Sequence, residues 1–278
     1  MPNRAAIPDG KLRDRLFFGT FGGIMAFYVG LIVLLVIAVG TVATPDDIKQ
    51  TLADPNIRAS IRLSFISCTL AALLSVLVAI PTGYILSRFR FPGRELIDAI
   101  LDIPIVLPPL VIGLCLLVLF NSLPDPDNNF ESMIREHLGF GVTFRPLGVL
   151  LAQFAVAAAF AIRMMRSTFD QIDPRAESVA RVLGCTRGQA VRRVVLPEAR
   201  HGILAAGTMA WARALGEFGP ILVFAGTTRG VTEVLSSTVF LEINIGNLGG
   251  AAAVSLLMIL LALTAIFAVR LVGHDAQR

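Results

Sequence analysis

The chain has few of the side chains on which catalysis and metal binding depend. It contains three cysteines and three histidines in 278 residues, and neither set has the spacing of a metal site or a disulfide pair. A phosphate-binding loop of the form G-x-x-x-x-G-K-S/T is absent, so ATP hydrolysis by this chain is not expected. We therefore predict no catalytic residue, no metal site and no cofactor bound by the chain itself.

Charged residues are also scarce, at 16% of the chain against about 25% in a typical soluble domain. Hydrophobic residues make up 55%, and the mean hydropathy is +0.75. The net charge is +4, but arginines gathered between long apolar runs are typical of membrane topology rather than of nucleic-acid binding. The composition predicts a protein embedded in a lipid bilayer and argues against nucleic acid as a partner.

Six stretches have the roughly 20 mostly apolar residues that a membrane-crossing helix requires. They are residues 16–42, 61–86, 96–120, 146–164, 203–225 and 250–272. The first is too long for a signal-peptide core and lacks a clear cleavage site, so we interpret it as a retained span. The predicted fold is an all-α membrane protein with one six-helix domain over residues 16–272.

Basic residues set the predicted orientation, because Lys and Arg are retained on the cytoplasmic side of a membrane. Residues 1–15, the link between spans two and three, and the link between spans four and five are rich in arginine. The other three links are poor in basic residues and carry acidic ones, for example Asp46 and Asp125. The two tails, 1–15 and 273–278, and the link 165–201 are therefore expected in the cytoplasm.

This cytoplasmic link begins with the pattern of a short helix. Asp173-Pro174 supplies an N-cap followed by proline at the first helical position, and Gly184 supplies a stop. Between them, apolar residues recur at helical spacing and predict one small apolar face. These residues are Ala176, Val179, Ala180 and Leu183.

A second short helix follows in the same link. Thr186 and Gln189 have the spacing of a capping box, and the helix is expected to end near Pro197, because proline does not continue a helix. The pattern alone leaves two interpretations open. The pair of helices can lie on lipid headgroups as an amphipathic segment, or it can dock on a water-soluble partner.

The spacing of the link resembles the cytoplasmic loop signature of ABC importer permeases. That signature is Glu-Ala-Ala, three residues, glycine, nine residues, then a branched aliphatic residue, any residue, Leu and Pro. The corresponding positions here are Ser178, Val179, Ala180, Gly184, Val194, Leu196 and Pro197. Ser and Val replace the first two residues of the triplet, and Glu177 places a carboxylate one position earlier. The resemblance implies a coupling helix that docks on a cytoplasmic ABC ATPase, which uses ATP and Mg.

Two further sequence blocks narrow the resemblance to one group of ABC importer permeases. Residues 80–114 read IPTGYILSRFRFPGRELIDAILDIPIVLPPLVIGL, and residues 212–226 read ARALGEFGPILVFAG. Both look like spans of molybdate, tungstate and sulfate permeases, although Pro220 stands where alanine is more usual. The resemblance covers most of residues 60–260 and implies a tetrahedral oxyanion, molybdate or tungstate before sulfate, delivered by an external binding protein. Importers of thiamine, iron(III) or another small solute share the cytoplasmic loop and stay open as alternatives.

Three prolines predict a break in the third span. Pro104, Pro108 and Pro109 each remove a backbone donor, so this helix is expected to be broken or kinked where protein or a water-lined cavity satisfies the freed carbonyls. The bend either lines the transport path or improves helix packing. A single bundle of this size is short for a closed path, so we expect a homodimer with a second permease copy.

Arg213 and Glu217 stand four residues apart in the fifth span. A charge within the membrane is costly and usually faces protein, water or an opposite charge. Two interpretations are open: a structural ion pair, or a pair that lines the path or gate. A membrane-embedded enzyme or channel would need clustered catalytic residues or a polar filter, and beyond this pair the spans offer only Asp98 and Asp102.

Overall fold

A computed structural model describes residues 10–274, which are almost wholly helical. The helices are α1 Gly10–Val42, α2 Pro45–Ala53, α3 Pro55–Arg88, α4 Arg94–Val106, α5 Pro109–Ser122, α6 Phe130–Leu138, α7 Pro146–Gln171, α8 Pro174–Val182, α9 Arg187–Ala190, α10 Leu196–Glu198, α11 Arg200–Leu215, α12 Leu235–Asn244 and α13 Leu248–His274. Two π-helical turns cover Val191–Val195 and Ile221–Ala225. Strand β1, Pro124–Asp125, pairs antiparallel with β2, Asn128–Asn129. Residues 1–9 and 275–278 of the predicted tails lie outside the described residues.

Four helices in this part of the chain are long and apolar enough to cross a membrane: Phe17–Val42 within α1, α3, α7, and Leu248–Phe267 within α13. The pair α4 and α5 makes a fifth if it is one bent span. The predicted fifth span is not one continuous helix, because α11 ends at Leu215 and residues 216–218 are not helical. The all-α fold is confirmed, and by length and composition the structure supports four or five spans.

Helices α3, α7 and α11 form the centre of the protein and pack through small residues. Fully buried alanines line their contacts: Ala71, Ala79, Ala157, Ala161, Ala206 and Ala210. At Gly83 of α3, an added Cβ would lie only 2.9 Å from the backbone nitrogen of Arg166 in α7. Lipid gives no hydrophobic force between helices, so close approach of small residues holds such a bundle together.

The predicted break in the third span is confirmed. Helix α4 ends at Val106, and α5 starts at Pro109 with its axis bent by 111°. Pro108 is the N-cap of α5 and Pro109 its first residue, where a missing N–H costs no helical hydrogen bond. Pro104 lies inside the last turns of α4, so the prolines both end one helix and begin the next.

Two ion pairs fasten α4 to α7. Asp98 accepts a hydrogen bond from Arg166, and Asp102 lies 3.5 Å from Arg163. From the first pair to the second, the residue number rises on α4 and falls on α7. Helix α4 therefore runs antiparallel to the end of α7. These aspartates, the remaining acidic residues of the predicted spans, are therefore members of interhelical ion pairs.

A buried carboxylate orders the long link before α7. Glu131 of α6 is 5% exposed and accepts the backbone N–H groups of Val142 and Thr143, each at 3.0 Å. Burial alone would raise the pKa of Glu131, but the hydrogen bonds from Thr143 and Val142 outweigh it and hold the pKa below its ordinary value. The ionised form is therefore the one that the folded link binds.

Acidification is expected to loosen this link. Because the folded-state pKa of Glu131 is lowered, its stabilisation is present above the ordinary glutamate pKa of about 4.3 and is lost as pH falls through the folded value. Hydrogen exchange should show protection factors at Val142 and Thr143 that fall on acidification. Glu131→Gln should lose about 1–3 kcal/mol of local stability at neutral pH and should remove the pH dependence. Wild-type protection that does not change with pH would contradict the assignment.

Candidate functional site

Helix α8 begins and ends as the sequence pattern predicts. The side chain of Asp173 accepts a hydrogen bond from the backbone N–H of Arg175 at 2.9 Å. At the other end Gly184 has φ +95°, and the N–H of Cys185 reaches back to the carbonyl of Ala180 at 3.0 Å. This is the hydrogen bond of a Schellman motif, which requires a left-handed residue at the glycine position. The glycine therefore fixes where α8 stops.

The capping box of the second short helix is confirmed. The backbone N–H of Gln189 donates to the Thr186 hydroxyl at 3.3 Å, and the N–H of Thr186 donates to the Gln189 side chain at 2.9 Å. The predicted end near Pro197 agrees with α10, which ends at Glu198, although an unpredicted π turn precedes α10. In that turn the N–H of Leu196 bonds to the carbonyl of Val191, one residue further back than in an α-helix. The widened turn accommodates a residue without an N–H.

The apolar residues of α8 do not share one face as predicted. Val179 and Leu183 are 57% and 79% exposed, whereas Ala180 is buried and Ala176 half-buried. Val182, which the pattern placed off the apolar face, is 87% exposed. The side of α8 that carries Ala180 packs inside the chain, so the larger aliphatic side chains point away from it. The exposed set, Val179, Val182 and Leu183, is called the α8 tip below.

The other signature residues lie at different depths. Ser178 is exposed and donates to the carbonyl of Pro174 at 3.1 Å. Val194 and Leu196 are half-buried, and Pro197 is exposed. Val195, at the variable position of the signature, is more deeply buried than Val194, Leu196 and Pro197, at 1% exposure. The burial of Val195 was not predicted from the sequence. The π turn at Val191–Val195 shifts the buried face by one residue relative to a regular α-helix.

Glu177 is buried at 9% exposure, although the sequence pattern offered it as part of the docking signature. Its Oε1 accepts a hydrogen bond from the Tyr84 hydroxyl at 2.7 Å, and its Oε2 lies 3.9 Å from Nε of Arg88. Tyr84 and Arg88 stand four residues apart at the end of α3. Sequence reasoning missed both, although a tyrosine and an arginine one helical turn apart at the end of a long apolar helix are a recognisable signal of polar contacts there.

The predicted ion pair of the fifth span forms. The Arg213 guanidinium lies 3.3 Å from Oε2 of Glu217, whose side chain is 3% exposed, whereas that of Arg213 is 36% exposed. The guanidinium also lies 4.7 Å from the ring centroid of Phe160 in α7, a cation–π contact. Glu217 follows the end of α11, and its backbone carbonyl accepts the Ser236 hydroxyl at 2.7 Å.

The two interrupted helical segments, α4–α5 and the stretch after α11, contact each other. A Cβ added at Gly219 would lie 3.0 Å from Pro109 and from the backbone of Leu110, and one added at Gly113 would lie 2.8 Å from Pro220. Glycine at both positions permits this backbone approach. The structure thus brings Pro109 beside Gly219, two residues after Glu217. Pro108 and Pro109 are exposed on the single chain, and Pro104 is half-buried.

The described residues form a bundle of long apolar helices with two interrupted segments in contact and a capped, partly apolar link. Residues 79–277 match the family described as "Binding-protein-dependent transport system inner membrane component". The chain belongs to this family of ABC transporter permeases.

Proteins with similar sequences are named as permeases of transport systems. The chain is 30% identical over 234 residues to the sulfate transport system permease protein CysT of Salmonella typhimurium, covering 81% of this chain and 83% of that protein. It is 34% identical over 209 residues to the molybdate/tungstate transport system permease protein WtpB of Thermococcus kodakarensis, covering 75% and 76%.

A solved structure shares the fold. A chain of the bacterial alginate ABC transporter, crystallised in complex with an alginate pentasaccharide-bound periplasmic protein, matches with a TM-score of 0.71. The match covers 92% of this chain and 93% of that chain, at 17% sequence identity. At that identity the similarity concerns the fold alone.

Proposed function

We propose that this permease moves a tetrahedral oxyanion from an external binding protein into the cytoplasm, with molybdate or tungstate favoured and sulfate next. The observation that carries the proposal is the 30–34% identity, over three quarters or more of the chain, to permeases named for sulfate and for molybdate/tungstate transport. Arg213 supports an anionic substrate, because it places a partly exposed positive charge beside the two broken spans.

Uptake by reconstituted vesicles tests the substrate. With the binding protein and ATPase present, radiolabelled molybdate is expected to accumulate only with ATP, and unlabelled tungstate or sulfate is expected to compete. If thiamine or iron(III) accumulates and none of the three oxyanions is transported, the proposed oxyanion substrate is wrong.

The coupling site for the ATPase is proposed to be residues 174–197. The α8 tip places three aliphatic side chains in water within a link that is otherwise rich in arginine. Capping at Asp173, Gly184 and Thr186 makes the segment a rigid peg rather than a flexible loop. Such a peg fits a cleft on a soluble subunit, and ATP and Mg are bound by that subunit.

A second copy of the permease is proposed to complete the path. Helix α4 has no buried residue in the single chain and exposes Leu96, Ile100 and Val106 at 65%, 52% and 80%. The prolines of the break are exposed beside it. In a homodimer, the breaks at 107–108 and 216–218 would line one central route together with Arg213 and Glu217. Weak holding of the anion there would leave selectivity to the binding protein.

The proposed topology has six spans in the cell inner membrane, with both termini in the cytoplasm. A single cysteine at Lys49, whose side chain is 80% exposed, should react with a membrane-impermeant maleimide in intact cells. A single cysteine at Val182 should react only after permeabilisation. Both variants are made in a background without the three native cysteines. Labelling of position 182 from outside would invert the topology and remove the coupling site from the cytoplasm.

A further inference from the structure

Glu177 faces the interior of this chain and not the surface that the α8 tip presents. Its side chain is 12% exposed, and its carboxylate contacts Tyr84 and Arg88, both on α3. Tyr84 and Glu177 are 93 positions apart in the sequence. Their hydrogen bond therefore joins two elements that are distant along the chain. Helix α8 therefore has one side bound to α3 and another side open to a partner.

Further contacts strengthen the attachment. Arg88 donates a hydrogen bond to the carbonyl of Ile172, just before α8, at 2.9 Å. The guanidinium of Arg187, at the start of α9, lies 5.0 Å from the ring centroid of Phe89. The end of α3 thus holds the entry to α8, its middle and the start of α9. Both short helices of the link are fixed to one membrane helix.

We propose that Glu177, with Tyr84 and Arg88, is the joint that carries a movement of the coupling segment into α3. Glu177 is then a positioning residue inside the permease and not a contact to the ATPase. The proposal rests on the proposed function, because only a driven movement of α8 gives the joint something to transmit. It assigns α3 a direct part in coupling, in addition to the chain connection from α9 through α10 into α11.

The packing beyond the joint supports this role. Gly83, adjacent to Tyr84, lets the backbones of α3 and α7 approach within van der Waals distance, and the Tyr84 ring lies edge-on against Phe169 of α7, with centroids 5.8 Å apart. A displacement of Glu177 therefore acts on α3 and α7 together. Close-packed interiors pass such displacements on rather than absorb them.

The test measures the ratio of ATP hydrolysis with and without molybdate- or sulfate-loaded binding protein, in the reconstituted complex. Tyr84→Phe removes one hydroxyl on α3 that bonds within the chain, and it should lower the ratio about threefold, which corresponds to the net loss of one ordinary hydrogen bond. Glu177→Ala should lower it roughly tenfold, because Arg88 also loses its carboxylate. Glu177→Gln, which keeps an acceptor for Tyr84, should fall between the two. Tyr28→Phe, at an exposed tyrosine of α1, is the matched control and should not change the ratio.

Copurification of the ATPase separates a joint from a direct contact. The joint predicts wild-type amounts of bound ATPase in Tyr84→Phe and Glu177→Gln with a lowered ratio. Loss of bound ATPase in Glu177→Ala, with a wild-type ratio in Tyr84→Phe, would show a direct contact and overturn the proposal. Wild-type ratios in all variants would overturn it as well. If Glu177→Ala does not reach the membrane, the other two variants decide. Failure of the wild-type complex to respond to any of the three oxyanions contradicts the proposed function instead.

Discussion

Gly184→Val is expected to abolish the stimulation of ATP hydrolysis by the loaded binding protein while the membrane helices stay inserted. Gly184 has φ +95°, a conformation that a β-branched residue strongly disfavours, at a strain of about 1–3 kcal/mol. No other atom lies within 4 Å of an added Cβ, so the effect comes from the backbone and not from a clash. Release of that strain changes how α8 ends and moves the α8 tip away from its docking geometry.

Gly184→Asn is the matched control for this prediction. Asparagine adopts the left-handed conformation more readily than other residues with a Cβ, so it should retain most of the stimulation. Both variants add a side chain at the same open position. Equal loss in the two would indicate that the site rejects any side chain there, and wild-type stimulation in Gly184→Val would contradict the role of the α8 terminus in coupling.

Arg213→Gln is expected to reduce the amount of folded complex strongly. The side chain of Glu217 is 3% exposed and Arg213 is its ion-pair partner, so the substitution leaves a carboxylate buried in the membrane without an opposite charge. The loss is about 3 kcal/mol, at the low end for a broken buried pair because Arg213 is partly solvated. Quantitative purification of the complex from membranes measures it.

The double variant Arg213→Gln/Glu217→Gln separates folding from transport. It removes both charges, so the amount of complex should return towards the wild-type level. The restored complex should still transport molybdate more slowly, because the path has lost its positive charge. Wild-type transport by the double variant would leave the pair with a structural role only. A wild-type amount of complex in the single variant would contradict the burial argument.

Local rules predicted the features that depend on a few neighbouring residues. The N-cap at Asp173, the left-handed Gly184 and the capping box at Thr186 each follow from one side chain and the backbone next to it. The break at Pro108 follows in the same way, because missing N–H groups interrupt a helix wherever the chain lies.

Features that depend on distant packing were not predictable in this way. The interruption at 216–218 is followed by Gly219 and Pro220, which approach α5, and Glu177 is buried by residues of α3. Val179 and Leu183 were grouped with Ala180 on one face for the same reason, since the side of α8 that is buried is chosen by α3 and not by helical periodicity. The π turn at Val191–Val195 was not predicted, because it is set by the hydrogen bonds of the whole stretch.

The central claim is that the α8 tip docks on the ATPase and not on lipid headgroups. Val182, at 87% exposure, is the position from which to measure it. A single cysteine there, carrying a short photo-crosslinker, is irradiated in the purified complex in nanodiscs, with the same probe at Lys49, on the face proposed to be external, as the control. The account predicts an adduct between position 182 and the ATPase subunit, identified by mass, and none from position 49. Adducts of position 182 with lipid alone would contradict it.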